Sequence, residues 1–237
     1  MLTALAWGAL AASSLLVGAV LGALHVWPTR LTGRMLAFGA GALISAVSFD
    51  LAEDGASLAG GLPVGIGLGL GAVVYFLANR WLNRRERASG SASSAGSGLA
   101  LGAFLDGIPE QVVLGIGMRI GPGVSVGLLA AVFVSNLPES IGSATEMREA
   151  GVPRRRVLTL WTAIAVTCAL ASPAGYVLAG AVSPELQAAL SGFAAGALLV
   201  MLVDEMIPQA RTRAGDAAGL WTVLGFAVGA ALSAVPA

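Results

Sequence analysis

Long apolar runs separated by short polar breaks make up most of the chain. A helix that crosses a bilayer needs about 20 mainly apolar residues. Eight stretches qualify, at residues 2–26, 35–51, 62–82, 99–118, 124–144, 157–182, 186–207 and 217–235. The pattern predicts an all-α, polytopic membrane protein with eight transmembrane helices, forming one transmembrane domain over residues 1–237. The first run lacks a basic leader and is longer than the ~7–15-residue apolar core of a signal peptide, so it reads as a retained helix. The second is the shortest and continues into Asp50, Glu53 and Asp54.

The basic residues test this count. All 13 are arginines. Arg30 and Arg34 follow the first predicted helix. Arg80, Arg84, Arg85 and Arg87 end the third. Arg148, Arg154, Arg155 and Arg156 follow the fifth, and Arg211 and Arg213 the seventh. Only Arg119 falls in the opposite set of loops. Basic loops stay cytoplasmic, so the pattern places the protein in the cell (inner) membrane with both termini outside the cytoplasm. The Gly/Ser-rich stretch 84–97 reads as a flexible cytoplasmic linker.

Composition agrees. Hydrophobic residues are 57% of the chain and charged residues 11%, against about 25% charged in soluble domains. The 33 glycines suit close helix approach in lipid. Net charge is zero, but its distribution matters more than the sum; the apolar content makes the lipid bilayer the expected partner, and no nucleic acid is expected. The single cysteine, Cys168, excludes an intrachain disulfide and a cysteine-based metal cluster. A short internal echo is also present: FGAGALI at 38–44 and FAAGALL at 193–199, each followed at the same distance by a carboxylate, Asp50 or Glu205. The two copies would run in opposite directions across the membrane. Helices 1–3 and 6–8 would then be inverted repeats around helices 4 and 5, a transporter pattern that puts the substrate near the midplane.

Two motifs carry chemistry. The fourth predicted helix contains Asp106-Gly-Ile-Pro-Glu110-Gln111, and the fifth contains Ser135-Asn136-Leu-Pro-Glu139-Ser140. In each, two polar side chains at i and i+4 share one helix face, and a proline just before the glutamate removes a backbone donor. A charged side chain at the bilayer centre costs about 2.5–3.5 kcal/mol on insertion scales. No arginine lies deep in a predicted helix to offset Asp106, Glu110 and Glu139. Protonation, with the carboxyls as packing glue, or a bound cation would neutralise them. The match of two motifs on consecutive helices favours ion handling. Asp50, Glu53, Asp54 and Glu205 read equally well as solvated helix ends or as cation-attracting mouths. His25 and the tryptophans at 7, 27, 81, 161 and 221 read as interfacial residues.

The two Pro-Glu motifs resemble those of the ZIP (Zrt/Irt-like) metal permeases, where helix 4 carries H-N-x-P-E-G and helix 5 H-x-x-P-E-G. Asp204-Glu205-Met206-Ile207-Pro208-Gln209 resembles that family's E-E-x-I-P-E, and Ser172-Pro173-Ala174-Gly175 its E-P-x-G. The resemblance spans nearly the whole chain. It implies a ZIP-like bundle in an inverted 3+2+3 arrangement, a homodimer, and a permease for a divalent transition metal (Zn2+, Mn2+ or Fe2+) with no resident cofactor. Carried over by position, the metal ligands are Asp106, Glu110, Ser135, Asn136 and Glu139. The departures matter: both family histidines are missing, at Asp106 and Ser135, and Gly107 and Ser172 replace two ligands of a second metal site. One principal or altered site is expected. Its oxygen ligands imply a shift away from zinc, because imidazole suits zinc and carboxylate suits manganese.

Three rival readings remain, one of them a related carrier with a different cation or a proton-coupled solute. An intramembrane enzyme would need a base near Ser135, yet no G-x-S-x-G or H-E-x-x-H occurs, so the chain is not expected to be an enzyme. A transport-inactive ZIP-like sensor or interaction partner is supported by the missing histidines.

Overall fold

The computed structural model describes residues 1–89, 95–120 and 125–234, with side chains at all of these except 82, 83, 85–89, 95–106 and 120. Every element in them is helical. The first, α1 (Leu2–Leu24), is followed by α2 (Thr29–Ala46), which passes through a π-helical turn (Val47–Glu53) into α3 (Asp54–Ala59). Next come α4 (Gly61–Ser89), α5 (Ala95–Ile120), α6 (Val126–Glu149) and α7 (Arg154–Gly180). Finally, α8 (Pro184–Met201) passes through a second π-helical turn (Leu202–Met206) into α9 (Ile207–Ala214), and a 3₁₀ turn (Gly215–Ala217) leads to α10 (Ala218–Ser233).

Six stretches among the described residues are long and apolar enough to cross a bilayer: Leu2–Leu24, Thr29–Ala59, Gly61–Trp81, Val126–Glu149, Arg154–Gly180 and Pro184–Ser233. The last holds 50 residues, at about 1.5 Å each more than twice the length that a ~30 Å core requires. It is interrupted at Gly215, whose φ of 66° ends α9 in a conformation glycine adopts without a Cβ penalty. Gly60, with φ 85°, ends α3 in the same way. The second predicted span does not stop at residue 51. The helix continues to Ala59 because a π turn absorbs the polar run, so Asp50 is enclosed while Glu53 is exposed. Part of the expected linker 84–97, residues 90–94, lies outside the described residues.

The outer surface is apolar. Leu70, Val73, Val74, Phe76 and Leu77 on α4, and Leu220 and Val223 on α10, are exposed. Contiguous patches of this kind are not left bare by soluble proteins, and a multi-pass membrane protein presents them to lipid. The interior is built from small residues. One core cluster joins α2, α6 and α8 through residues such as Ala40, Leu43, Val132 and Leu198. Another joins α1, α6 and α7 around Trp161. Trp161 is wholly buried, so of the five tryptophans it is not an interfacial anchor.

Glycines set how closely the helices approach. A methyl group on Gly41 of α2 would strike the carbonyl oxygen of Thr222 in α10, and one on Gly225 of α10 would strike that of Phe38 in α2. The α4–α8 pair repeats this, with Gly71 on the carbonyl of Phe193 and Gly196 on that of Leu68. So does the α5–α7 pair, with Gly115 on Ser172 and Gly175 on Val112. Apolar burial gives helices in lipid little reason to associate, so close backbone packing of this kind is what holds them together.

Candidate metal site

α5 and α6 position the predicted site. Pro109 and Pro138 sit inside these helices without ending them. Each lacks the N–H that would bond the carbonyl four residues back, which leaves the carbonyls of Leu105 and Val134 without that partner. The glutamate follows directly on each proline. Glu110, Ser135 and Asn136 are buried, and Glu139 is partly buried. The Ser135 hydroxyl lies 3.2 Å from Glu110 Oε1 and 3.0 Å from the Val132 carbonyl, so it divides its single proton between the two. α2 closes over this pair: a Cβ on Gly39 would lie 2.8 Å from the Cα of Ser135. The site is therefore roofed by backbone, with little room between the helices.

Of the five predicted ligands, the structure brings Glu110 and Ser135 into direct contact. The contact crosses from α5 to α6, the two helices between which the sequence places the site. The Asp106 side chain lies outside the described residues. Among the described residues, no group of three His, Cys, Asp or Glu is already assembled to hold a metal ion.

One residue outside the predicted ligand set joins the site. Gln111 is fully buried, and its amide oxygen and nitrogen have no hydrogen-bond partner among the described residues. The Asn136 amide is in the same condition. Buried polar atoms in folded proteins are nearly always bonded, so these two amides have hydrogen-bonding capacity to give to a polar guest. The signal available beforehand was a glutamine in an otherwise apolar helix. A mainly apolar cavity of about 360 Å³ lies between α4, α5 and α8, lined by residues such as Val74, Ile108, Val112 and Phe193 together with Tyr75 and Asn79.

The two carboxylates that follow the internal echo are both held in the π turns. Asp50 accepts hydrogen bonds from Ser125 at 2.6 Å and Ser233 at 2.7 Å. Glu205 accepts from Tyr75 at 3.0 Å and Asn79 at 2.6 Å. These contacts replace the reading of solvated helix ends. π turns recur at functional positions. A hydrogen bond to a charged group contributes about 1.5–3 kcal/mol, so Ser233→Ala is expected to lower the thermal unfolding temperature in detergent. The half-buried Ser13, whose hydroxyl bonds the Leu10 carbonyl of its own helix, is the control, and Ser13→Ala should leave that temperature unchanged. At the other end of α6, Glu146 pairs with Arg213 of α9 at 2.7 Å.

Compared with models of known protein families and with curated proteins, the chain matches none.

Proposed function

We propose that this chain is a permease for a divalent transition-metal cation, built as an eight-helix ZIP-like bundle with both termini outside the cytoplasm. The observation that carries the reading is the burial of Glu110 beside Ser135, with Glu139 close by on the next helix. The sequence stretches that hold them, 88 to 118 and 120 to 147, contain no basic residue. Carboxylates placed this way in an apolar bundle are neutralised by a proton or a cation. The neighbouring unpartnered amides favour a guest over simple packing.

An inverted 3+2+3 arrangement has its own support. Phe38 and Phe193, Asp50 and Glu205, and Gly60 and Gly215 are each separated by the same number of residues. Each member of a pair plays the same part: glycine-packed backbone, π-turn carboxylate, helix-ending glycine. Helix packing follows the same exchange. α2 lies on α10 as α8 lies on α4, and α1 lies on α6 as α7 lies on α5. Internal repeats of this kind place a substrate between them, where α5 and α6 carry the glutamates.

The sensor or interaction-partner reading draws support from the tight roof that Gly39 makes over Ser135. One experiment decides between the two. Purified protein in liposomes is expected to show saturable uptake of zinc or manganese above that of empty liposomes. Metal binding without uptake would sink the permease reading and leave the sensor.

A further inference from the structure

Two helix pairs leave a seam in the bundle. α4 packs on α8, and α5 packs on α7. The cavity of about 360 Å³ lies between the pairs. An apolar void of about 150 Å³ already stays dry and admits a benzene. Val113 and Ile116 form the buried floor of the cavity, whereas Val74, Ala78 and Leu178 are exposed at its rim. It therefore opens on the lipid-facing surface. Its two polar side chains, Tyr75 and Asn79, donate to Glu205, and the rest of the wall is apolar.

Arg119 stands at one end of this cavity. It follows Val112 by seven residues and Ile116 by three, so it lies on the α5 face that lines the cavity. It is also the arginine that departs from the charge pattern of the loops. The side chain is exposed, and among the described residues it forms no ion pair. Instead it rests on α7, 5.4 Å from the centroid of the Tyr176 ring and 3.4 Å from the Tyr176 hydroxyl. Gly180 makes room for it, since a Cβ there would lie 2.7 Å from Arg119 Nε. A guanidinium has five N–H donors, and this single contact leaves most of them for a partner outside the chain.

We propose that a phospholipid binds here, with one acyl chain in the cavity and its phosphate on Arg119. The lipid belongs to the leaflet on the Arg119 side, the outer one in the proposed topology. Depth supports the match. The 11 residues from Ile108 to Arg119 span about 16 Å of helix, and half of a ~30 Å hydrocarbon core is about 15 Å. A phosphate level with Arg119 thus sets its acyl chain alongside the cavity. The planar guanidinium takes two phosphate oxygens at once, and the Tyr176 hydroxyl beside it has a proton to donate. Inside the cavity the chain exchanges void for dispersion contacts. It touches helices of both pairs and so bridges the seam.

The test titrates the purified full-length protein in detergent with dioleoylphosphatidylglycerol, and separately with dioleoylglycerol, which has the same chains and no phosphate. Native mass spectrometry reads the first lipid bound. The native chain is expected to bind the phospholipid about five- to tenfold more tightly, the effect of one arginine near a membrane surface. Arg119→Gln should erase that preference and leave diacylglycerol binding unchanged. Val112→Phe, and Ala78→Phe at the exposed rim where added bulk does not disturb the fold, should weaken both lipids by filling the cavity. Equal affinity for the two lipids in the native chain, or a preference that survives Arg119→Gln, overturns the phosphate contact. Unchanged binding in both phenylalanine variants overturns the cavity as the seat of the acyl chain. Loss of the preference in Arg80→Gln instead places the lipid in the opposite leaflet and overturns the assignment. None of these measurements involves a transported ion, so their outcome is independent of the permease reading.

Discussion

Glu110→Gln with Glu139→Gln is expected to abolish cation flux in liposomes while leaving the protein folded. The glutamine side chain keeps the volume and one oxygen of glutamate and removes its charge. A unit charge about 4 Å from another contributes about 4 kcal/mol at an effective dielectric constant of 20, and every 1.4 kcal/mol is tenfold in affinity. Each single change should therefore weaken cation binding on the order of 100–1,000-fold, and the pair should leave no measurable uptake. The same changes should leave the unfolding temperature of the metal-free protein equal or higher, because a buried amide is cheaper to desolvate than a carboxylate. The opposite outcome, uptake preserved and stability lowered, would make Glu110 and Glu139 packing elements and end the permease reading.

The second large effect concerns the α2–α10 contact. Gly41→Val or Gly225→Val is expected to destabilise the bundle by at least about 1–3 kcal/mol, the usual cost of overpacking. The obstruction in each case is a backbone carbonyl of the facing helix, and a carbonyl cannot rotate out of the way. α10 has only 16 residues, and α2 is its principal neighbour. Unfolding in detergent, followed by the loss of helix signal, measures the cost. Gly69 and Gly219 provide the contrast, because nothing lies within 4 Å of a Cβ at either. Gly69→Ala should stabilise the protein by up to about 1 kcal/mol through helix propensity alone. If valine at 41 or 225 proves as harmless as alanine at 69, the helices are not held by these glycines.

Apolar run length and glycine content made the helical, membrane-type architecture readable, because both are properties of each segment taken by itself. The π turns were not readable. An extra residue accommodated within a helix leaves no compositional trace, so the polar run after Leu51 looked like an end. The two proline-glutamate motifs were legible as helix-interior features, and they fall inside α5 and α6. The contact between Glu110 and Ser135 was out of reach, since it depends on how one helix is set against the next. Trp161 was misplaced because nearness to a predicted helix end says nothing about which way the ring turns.

The π turns have one more consequence. Each holds roughly one residue beyond what regular α-helix geometry would fit, and one residue corresponds to about 100° of rotation. Everything after the turn is therefore swivelled relative to the shaft before it. Deleting a single residue from 47–53 would restore an uninterrupted rod and swing α3 through about that angle, carrying Ser191's acceptor, the carbonyl of Leu51, away from α8. The two wide turns act as fixed elbows, aiming the ends of α2 and α8 in directions that the straight portions would never reach.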